Sequence, residues 1–356
     1  MEKKRLTIMI NGFGFGGAQN MVYEQLKNVD TDRYEVSVVS NIPKSTSTLE
    51  DQVCALFPVT YLNGGNAVTP KTVFQMVKAI QTTKPDIVHA HLGSVGFAAV
   101  WSMLYRKPLV ITAHTKPEKA FSPKIEKMVR LALKTKRTKL VAVSEDNAKR
   151  LREYFGLDEK LCACVNNGID LDRFIRKEHD GFTLIHVGRQ DENKNQAALI
   201  RCFARLHEKE SNTKLLLLGD GDQHQKLIAL AEQLGIADAV TFTGNVPNTE
   251  DYYAISDLYV QCSHREAMPL SVLEAMATGL PIVSTDVGGL SDVVQDNGIL
   301  VPDNDEEALY QAIEKIYEQS AEETEKMCAA SGRIVENYSS KGMSAAYEKI
   351  YSEMCK

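Results

Sequence analysis

The sequence predicts an α/β protein with two doubly wound parallel sheets, and three observations lead to this prediction. Short apolar runs alternate with helical patterns along most of the chain, which is typical of parallel sheets. The alternation stops once, at the turn Asn166-Asn167-Gly168 and the polar stretch Asp170–Asp180, and then begins again. The chain has 356 residues, which is too long for one ordinary core. We therefore predict one domain over 1–168 and a second over 169–337.

The first domain opens with a strand, a glycine-rich loop and a helix. The strand Leu6–Asn11 leads into the loop Gly12–Gly17, and the helix runs from Ala18 to about Lys27. Such a loop places backbone N–H groups at the edge of a sheet, where phosphates bind. The glycines also satisfy the dinucleotide pattern G-x-G-x-x-G, but the second strand, Glu35–Ser40, ends without the acidic residue that would bind a ribose. We therefore do not predict a dehydrogenase.

Further strands and helices follow in both domains. In the first domain, the helices are expected near 70–83, 95–105 and 122–136, and the strands at Asp86–Ala90, Leu109–Ala113 and Leu140–Ser144. In the second domain, the strands are expected at Phe182–Val187, Lys214–Leu218, Val240–Thr243, Leu258–Cys262 and Ile282–Ser284, with helices at about 195–209, 222–234 and 250–256. Ligands of doubly wound sheets bind beyond the carboxyl ends of the strands. Two such sheets would leave a cleft between their facing strand ends.

Arg189 and Lys194 lie in the loop that follows the first strand of the second domain. An Arg can bind two phosphate oxygens at once, and a Lys adds a mobile point charge. The two cations therefore suit a ligand that carries phosphate groups.

One stretch, residues 262–289, reads CSHREAMPLSVLEAMATGLPIVSTDVGG. We expect a helix to begin near Pro269 or Leu270 and to end before Gly279, because Pro is tolerated in the first turn and Gly follows helix ends. Glu266 then lies in the loop that faces the amino end of the helix, and Glu274 lies about one turn inside. The N–H groups of Met268, Leu270 and Ser271 would point outward with the positive end of the helix dipole. The stretch thus forms a cradle for an anion with a carboxylate on each side.

This stretch resembles the signature of the family 4 glycosyltransferases. The family pattern is a Glu, seven residues, a second Glu that begins E-A-M-A-x-G-x-P-(I/V)-V, and a closing G-G. Here it runs from Glu266 to Glu274, continues as AMATGLPIV, and closes with Gly288 and Gly289. Ala267 stands where Gly is commoner in the family, and we expect this to change only the shape of the sugar pocket. Weaker matches follow the family order: Gly16-Gly17-Ala18-Gln19, His114, Asn167-Gly168, and Arg189 with Lys194.

The resemblance implies the GT-B fold, in which two Rossmann-like domains face each other across a cleft and a C-terminal helix, here within 338–356, crosses back onto the first domain. It also implies a retaining transfer of a sugar from a nucleotide donor, in particular a UDP-sugar. The acceptor would be a hydroxyl of a glycan or of a polyprenyl-linked glycan, in the synthesis of cell-surface polysaccharide or glycoconjugates. No cofactor and no metal would be required.

The resemblance further assigns site residues. Glu266 would lie beside the donor sugar, where it could orient sugar hydroxyls or stabilise positive charge. Glu274 would hold the ribose hydroxyls. The segment Met268, Pro269 and Leu270 would hold the diphosphate. The catalytic candidates are Glu266, His114, Arg189 and Lys194, and the remaining donor-binding candidates are Gly16, Gly17, Asn245 and Val246.

Composition limits the other classes of function. The net charge of −6 argues against general nucleic-acid binding. The seven Cys have no disulfide or metal-ligand spacing, and the amino end has an apolar core too short for a secretory signal. We therefore expect a cytoplasmic protein with reduced thiols. His89 and His91, two apart on a strand end, lack a third ligand at a matching spacing, so we expect packing or hydrogen bonding there.

Residues 116–139 form a local basic region with nine Lys or Arg and two Glu. On a helix its apolar residues would share one side, bordered by basic residues. Such a helix could lie against anionic lipid, or its apolar side could pack in the core and leave a solvated basic flank. The family resemblance favours a peripheral contact with the inner face of the membrane.

Two alternatives to a transferase remain open. A nucleotide-sugar epimerase has the same two-lobed fold, although it lacks this Glu-x7-Glu stretch. The chain could also be an inactive sugar-nucleotide-binding subunit that supports a partner transferase, although it keeps Arg189, Lys194, Glu266 and His114.

Overall fold

The structure is a computed structural model that describes residues 2–14, 16–62 and 69–356. It divides into two compact units, one formed by the residues up to Gly168 together with Ser340–Lys356 and the other by Ile169–Ser339. Each unit is an α/β unit with its own sheet and its own apolar core. Among the described residues, no helix combines the length and the apolar character needed to cross a bilayer.

The first unit contains a seven-stranded sheet. Its strands are β1 (Lys4–Ile10), β2 (Tyr34–Ser40), β3 (Val59–Tyr61), β4 (Ile87–His91), β5 (Leu109–Ala113), β6 (Thr138–Ala142) and β7 (Cys162–Cys164). Its first seven helices are α1 (Gly17–Lys27), α2 (Thr48–Leu56), α3 (Pro70–Thr82), α4 (Val95–Tyr105), α5 (Pro117–Ala120), α6 (Pro123–Lys134) and α7 (Glu145–Phe155). The order is β3-β2-β1-β4-β5-β6-β7, and all pairs are parallel. The predicted loop Gly12–Gly17 includes Phe15, which lies outside the described residues.

The second unit contains a six-stranded sheet. Its strands are β8 (Phe182–Val187), β9 (Thr213–Leu218), β10 (Val240–Gly244), β11 (Leu258–Gln261), β12 (Ile282–Thr285) and β13 (Gly298–Val301). Its helices are α8 (Gln196–Lys209), α9 (His224–Gln233), α10 (Thr249–Ala254), α11 (Leu270–Ala277), α12 (Glu306–Glu318) and α13 (Ala321–Val335). The order is β10-β9-β8-β11-β12-β13, again with parallel pairs throughout. The prediction of two doubly wound parallel sheets is therefore confirmed.

The strand order places one switch point in each sheet. Chain connections leave in opposite directions from β1 and β4 in the first sheet, and from β8 and β11 in the second. The carboxyl ends of such neighbouring strands have no crossover helix above them, and ligands bind there. The loops after these strands are therefore the expected positions of a ligand site in each unit.

The last helix, α14 (Ser340–Met354), belongs to the first unit. Its buried tyrosines reach the central strands: Tyr351 Oη lies 2.7 Å from His89 Nδ1, and Tyr347 Oη lies 3.0 Å from Thr112 Oγ1. His89 Nε2 lies 2.7 Å from the same Thr112 hydroxyl. A buried hydrogen-bond network therefore ties α14 to β4 and β5, as the expected return of the C-terminal helix requires.

The basic segment 116–139 packs its apolar side inside the first unit. Val129, Ala132 and Leu133 of α6 are buried in the core, and Ile125 and Met128 pack against it. The outward side carries the exposed residues Lys124, Lys127, Leu131 and Lys134. The apolar side of α6 is thus not available to insert into lipid, and any contact with a membrane would depend on the outward lysines.

The first unit holds three histidines, of which His89 and His91 are fully buried and His114 is half-buried, and these predict how its stability depends on pH. Burial lowers the pKa of His89 and His91 well below the usual 6.5 and that of His114 to about 4. Each group binds its proton more readily in the unfolded chain, so the native state is favoured most above pH 6.5 and loses stability as the pH falls towards 4.

We therefore predict that the first unit unfolds at a lower urea concentration at pH 5 than at pH 7. The loss should be on the order of 1 kcal/mol or more, because over this pH range the imidazoles bind protons more readily in the unfolded chain than in the native state. Carboxylates contribute little to the difference, since most of them titrate below this range. Trp101 is the one Trp of the chain and lies buried in α4, so its fluorescence reports on this unit alone. A urea midpoint that is equal at the two pH values, or higher at pH 5, would contradict the burial of neutral imidazoles.

Candidate functional site

The loops after β8 and β11 meet at the switch point of the second sheet. His264 N donates to Asn193 O at 2.8 Å, and Asn193 Nδ2 donates to Arg265 O at 3.0 Å. The buried Cys262 thiol donates to Lys194 O at 3.2 Å, and burial raises the pKa of this thiol to about 12, so it stays protonated. The two loops are thus held to each other by one backbone hydrogen bond and by two that side chains donate to backbone oxygens.

Lys194 and Glu266 form an ion pair where these loops meet. Lys194 Nζ lies 2.6 Å from Glu266 Oε1, and the two side chains are only 18% and 11% exposed. Gln261 Nε2 donates to the same carboxylate oxygen at 2.8 Å. A charge held in such a partly buried place needs its partner, because removing either one leaves the other uncompensated.

A hydrogen-bond chain below the pair connects it to the first turn of α11. Gln261 Nε2 also donates to Ser263 Oγ at 2.7 Å, and Gln261 Oε1 accepts from Tyr259 Oη at 2.5 Å. Tyr259 Oη lies 2.8 Å from Ser271 Oγ. Burial raises the pKa of Tyr259 well above 10, so its hydroxyl remains a donor. The orientation of Glu266 is therefore set by a buried polar chain that starts inside the sheet.

Helix α11 runs from Leu270 to Ala277, which confirms the predicted helix between Pro269 and Gly279. Pro269 stands at its N-cap and makes no side-chain cap hydrogen bond. The first turn of an uncapped helix carries N–H groups and the positive end of the dipole, which together favour an anion. Glu274 is half-buried one turn further on.

Glycines hold the surrounding loops close together. Gly288 has φ +65°, and a Cβ there would lie 2.0 Å from Glu266 O. Gly289 N donates to Ala267 O at 3.0 Å. On the other side of the site, a Cβ at Gly219 would lie 2.2 Å from Gly188 O. The loop of Glu266 can therefore sit where it does only because Gly288 has no side chain.

Arg189 is exposed and pairs with Asp191, a different carboxylate from the one that Lys194 binds. Its side chain is 77% exposed, and its guanidinium binds Asp191 at 2.6 Å. Asp191 Oδ1 also accepts from Lys194 N at 3.0 Å, so this carboxylate fixes the loop between the two basic residues. Lys194 is thus brought to Glu266, whereas Arg189 stands at the rim with a solvent-exposed charge.

Two family models match this chain over almost its whole length. The model described as glycosyl transferases group 1 matches residues 169–335, and the model described as glycosyltransferase family 4 matches residues 15–173. The chain belongs to the family 4 glycosyltransferases.

Individual relatives agree with this assignment. An uncharacterised glycosyltransferase of Methanocaldococcus jannaschii is 27% identical over 80% of this chain and 75% of its own length. The N-acetylgalactosamine-N,N'-diacetylbacillosaminyl-diphospho-undecaprenol 4-alpha-N-acetylgalactosaminyltransferase of Campylobacter jejuni is 28% identical over 88% of this chain and 90% of its own. The solved structure of Anabaena HepE in complex with UDP and glucose has the same fold, with a TM-score of 0.84 and 20% identity over 98% of this chain and 99% of that one. The expected GT-B fold is therefore confirmed.

Asn245 and Val246 of the glycosyltransferase follow β10, the edge strand beyond β9. Asn245 is exposed and Val246 is half-buried. Among the described residues, no hydrogen bond joins either of them to Lys194 or Glu266, so their contact with the nucleotide stays a prediction.

The remaining predicted residues lie in the first unit. Gly16 and Gly17 are exposed at the start of α1, with Gly16 at its N-cap. His114 follows β5 directly and is half-buried, with its Nε2 at 3.1 Å from His91 Nδ1. His89 and His91 share one side of β4, since their rings are 4.0 Å apart. As expected, packing and hydrogen bonding account for this pair.

Sequence reasoning missed the buried polar residues that support the site. Gln261 and Tyr259 lie on β11, and Gln196 and His186 lie under the loop after β8, where Gln196 Nε2 donates to Arg189 O at 3.1 Å. His186 Nδ1 donates to Val260 O at 2.8 Å, and burial lowers the pKa of its imidazole to about 4. The one available signal was the polar residue Gln261 at the end of an otherwise apolar strand.

The close approach of Gly288 to Glu266 predicts a severe effect of Gly288→Ala. The added methyl would overlap a backbone oxygen and displace the Glu266 loop, whereas at Gly279, which has φ +80° and open space around its Cβ position, only backbone strain is added. We expect Gly279→Ala to cost roughly 1 kcal/mol and Gly288→Ala several times more. Calorimetry with hydrogen exchange of residues 264–268 measures both. Equal melting temperatures and equal exchange in the two variants would contradict the tight contact.

Proposed function

We propose that this glycosyltransferase moves a sugar from a UDP-linked donor to a hydroxyl of a glycan or lipid-linked glycan, with retention of configuration. The observation that carries the proposal is the Lys194–Glu266 pair at the switch point, beside the uncapped start of α11. Lys194 would supply a cation for the diphosphate, the first-turn amides of α11 would bind the same group, and Glu266 would supply a carboxylate for the sugar. We further propose a role in the synthesis of cell-surface polysaccharide or glycoconjugate.

The diphosphate is the leaving group of such a reaction, and it gains negative charge as the glycosidic bond breaks. Lys194 Nζ and the first-turn N–H groups of α11 would stabilise that charge, because fixed donors and dipoles need no reorganisation during the reaction. Arg189, exposed at the rim, would supply a second cation once it exchanges Asp191 for phosphate oxygens. In the same proposal, Glu274 holds the ribose hydroxyls.

Glu266 would act on the sugar. Its Oε1 already has two donors, Lys194 and Gln261, so its other oxygen is the one to accept sugar hydroxyls. A carboxylate in this position also stabilises positive charge that develops on the sugar ring. Attack and departure on one face of the sugar would give retention, with a phosphate oxygen taking the proton of the acceptor hydroxyl.

The choice of donor and acceptor is supported by the relatives. HepE was solved with UDP and glucose, and the Campylobacter enzyme is named for transfer of N-acetylgalactosamine to a diphospho-undecaprenol-linked sugar. The same classes, a UDP-sugar and a polyprenyl-linked or free glycan, are proposed for this chain, with His114, Gly16 and Gly17 on the acceptor side or near the sugar.

Replacing Lys194 by Ala should lower turnover by about 100-fold or more, since a charge that stabilises the leaving group acts mainly in the transition state. UDP release from a panel of UDP-sugars, with membranes or glycans as acceptor, measures this. Lys177→Ala is the matched control, because this Lys lies in the same unit with an exposed side chain in a surface ion pair.

Three outcomes of this assay would oppose the proposal. Full activity of a folded Lys194→Ala protein would remove the phosphate role of this side chain. A new sugar isomer in place of transfer or hydrolysis would favour an epimerase. Binding of UDP without release of UDP from any donor would favour an inactive subunit.

We also propose that the reaction needs no metal, because Lys194, Arg189 and the helix amides supply the positive charge that a metal would otherwise bring to a diphosphate. Turnover should stay within about twofold after treatment with EDTA and gel filtration. Loss of turnover that added Mg²⁺ restores would contradict this proposal.

We propose a peripheral contact with anionic membrane through Lys124, Lys127 and Lys134, the exposed lysines of α6. Each Lys near an anionic surface contributes roughly 1 kcal/mol, so replacing all three by Gln should weaken binding to vesicles of anionic lipid about 100-fold at low salt. Sedimentation with vesicles that contain anionic lipid, at low salt, measures this. Lys177, Lys214 and Lys226 replaced by Gln form the control, with the same change in charge on the other unit. Equal binding of the two triple variants would contradict the proposal.

A further inference from the structure

Two histidines from neighbouring strands meet at the carboxyl edge of the first sheet. His91 is the last residue of β4, and His114 follows the last residue of β5, its neighbour in the sheet. The Nδ1 atom of His91 lies 3.1 Å from the Nε2 atom of His114. This is a hydrogen-bond distance, so one of these two nitrogens carries a proton and the other accepts it.

The two outer nitrogens of the pair lie in different surroundings. His91 is fully buried, and its Nε2 atom has no hydrogen-bond partner among the described residues. His114 is half-buried, and no described residue bonds its Nδ1 atom. His89, the next ring along β4, has both nitrogens occupied, by Tyr351 and Thr112. The free atom of His114 is thus the one that can meet a ligand.

Two placements of the protons are compatible with a neutral pair. If His114 donates from Nε2, His91 must carry its own proton on Nε2, where a buried N–H group would have no acceptor. If His91 donates from Nδ1, its Nε2 is a bare acceptor and His114 carries its proton on Nδ1. A buried N–H group without a partner is rarer in proteins than an unsatisfied acceptor, and it loses the full free energy of its contact with water. The second placement is therefore favoured.

We propose that His91 is a positioning residue that donates its Nδ1 proton to His114 Nε2 and so holds His114 with its own proton on Nδ1. His114 then presents a fixed hydrogen-bond donor, suited to an oxygen of the sugar, and has no free base nitrogen at the surface. Burial, which lowers the pKa of both groups, keeps the pair neutral at pH 7. The use of this donor by a sugar rests on the proposed function, whereas the position of the proton does not.

Long-range ¹H–¹⁵N correlation of the full chain with ¹⁵N-labelled histidine reads the protonated nitrogen of each ring directly. With eight His in the chain, the signals of His91 and His114 are assigned by their loss in single variants. We expect both rings to be protonated at Nδ1 at pH 7.5. A His114 ring protonated at Nε2 would overturn the proposal, whether or not the protein transfers sugars.

Two variants test what the pair does for the reaction. In His91→Asn, the side-chain amide nitrogen can take the place of the Nδ1 donor, whereas His91→Leu removes it. We expect His91→Leu to lose the single tautomer of His114 and to lower kcat for UDP release about tenfold with less change in donor KM, and His91→Asn to restore most of both.

Unchanged kcat in a folded His91→Leu protein with a mixed His114 tautomer would overturn the positioning role. If His91→Leu does not fold, the spectrum of the unmodified chain still decides the position of the proton. If the unmodified chain shows the expected spectrum but releases no UDP from any donor, this result would count against the proposed function alone.

Discussion

The ion pair between Lys194 and Glu266 is the interaction on which the rest of the site depends. It joins two residues that are 72 positions apart in the sequence and connects the loop after β8 to the loop after β11. Neither charge would be stable there alone, because both side chains are largely removed from water. The pair therefore keeps a cation and a carboxylate together at one place, and in the proposed reaction a diphosphate would become a partner of the Lys.

The surrounding chain serves to hold this pair. Gln261 fixes one oxygen of Glu266, and Tyr259 fixes Gln261, so the carboxylate is oriented from inside the sheet. Gly288 allows the next loop to pass against the backbone of Glu266. Asp191 holds the other loop through the amide of Lys194. Buried donors and close backbone contacts thus provide the fixed geometry that electrostatic stabilisation of a leaving group requires.

Local sequence rules predicted the parts of the structure that depend on neighbours in the chain. Pro269 and Gly279 bound α11 as expected, because Pro favours a helix start and Gly279, with φ +80°, favours an end. The alternation of strands and helices predicted both sheets. The edge strands β3, β7 and β13 were missed, since runs of three or four residues carry little periodic signal.

Features that depend on contacts between residues far apart in the chain could not be predicted from the sequence. Arg189 and Lys194 looked equivalent, yet Glu266, 72 positions from Lys194, pairs with Lys194 alone. Arg189 pairs instead with its near neighbour Asp191. The pattern of α6 left open whether its apolar side meets lipid or core, and the neighbouring α4 decides for the core: Ile125 and Met128 pack at Gly96. Gln196 had no recognisable pattern, and Gln261 stood out only as a polar residue at the end of an apolar strand. The roles of both come from partners that only the fold brings near.

A crystal structure of the full chain with a bound UDP-sugar tests the central claim most directly. The account predicts diphosphate oxygens within hydrogen-bond distance of Lys194 Nζ and of the first-turn amides of α11, with Glu266 against the sugar hydroxyls. A diphosphate bound elsewhere, with the Lys194–Glu266 pair intact and untouched by the ligand, would contradict it.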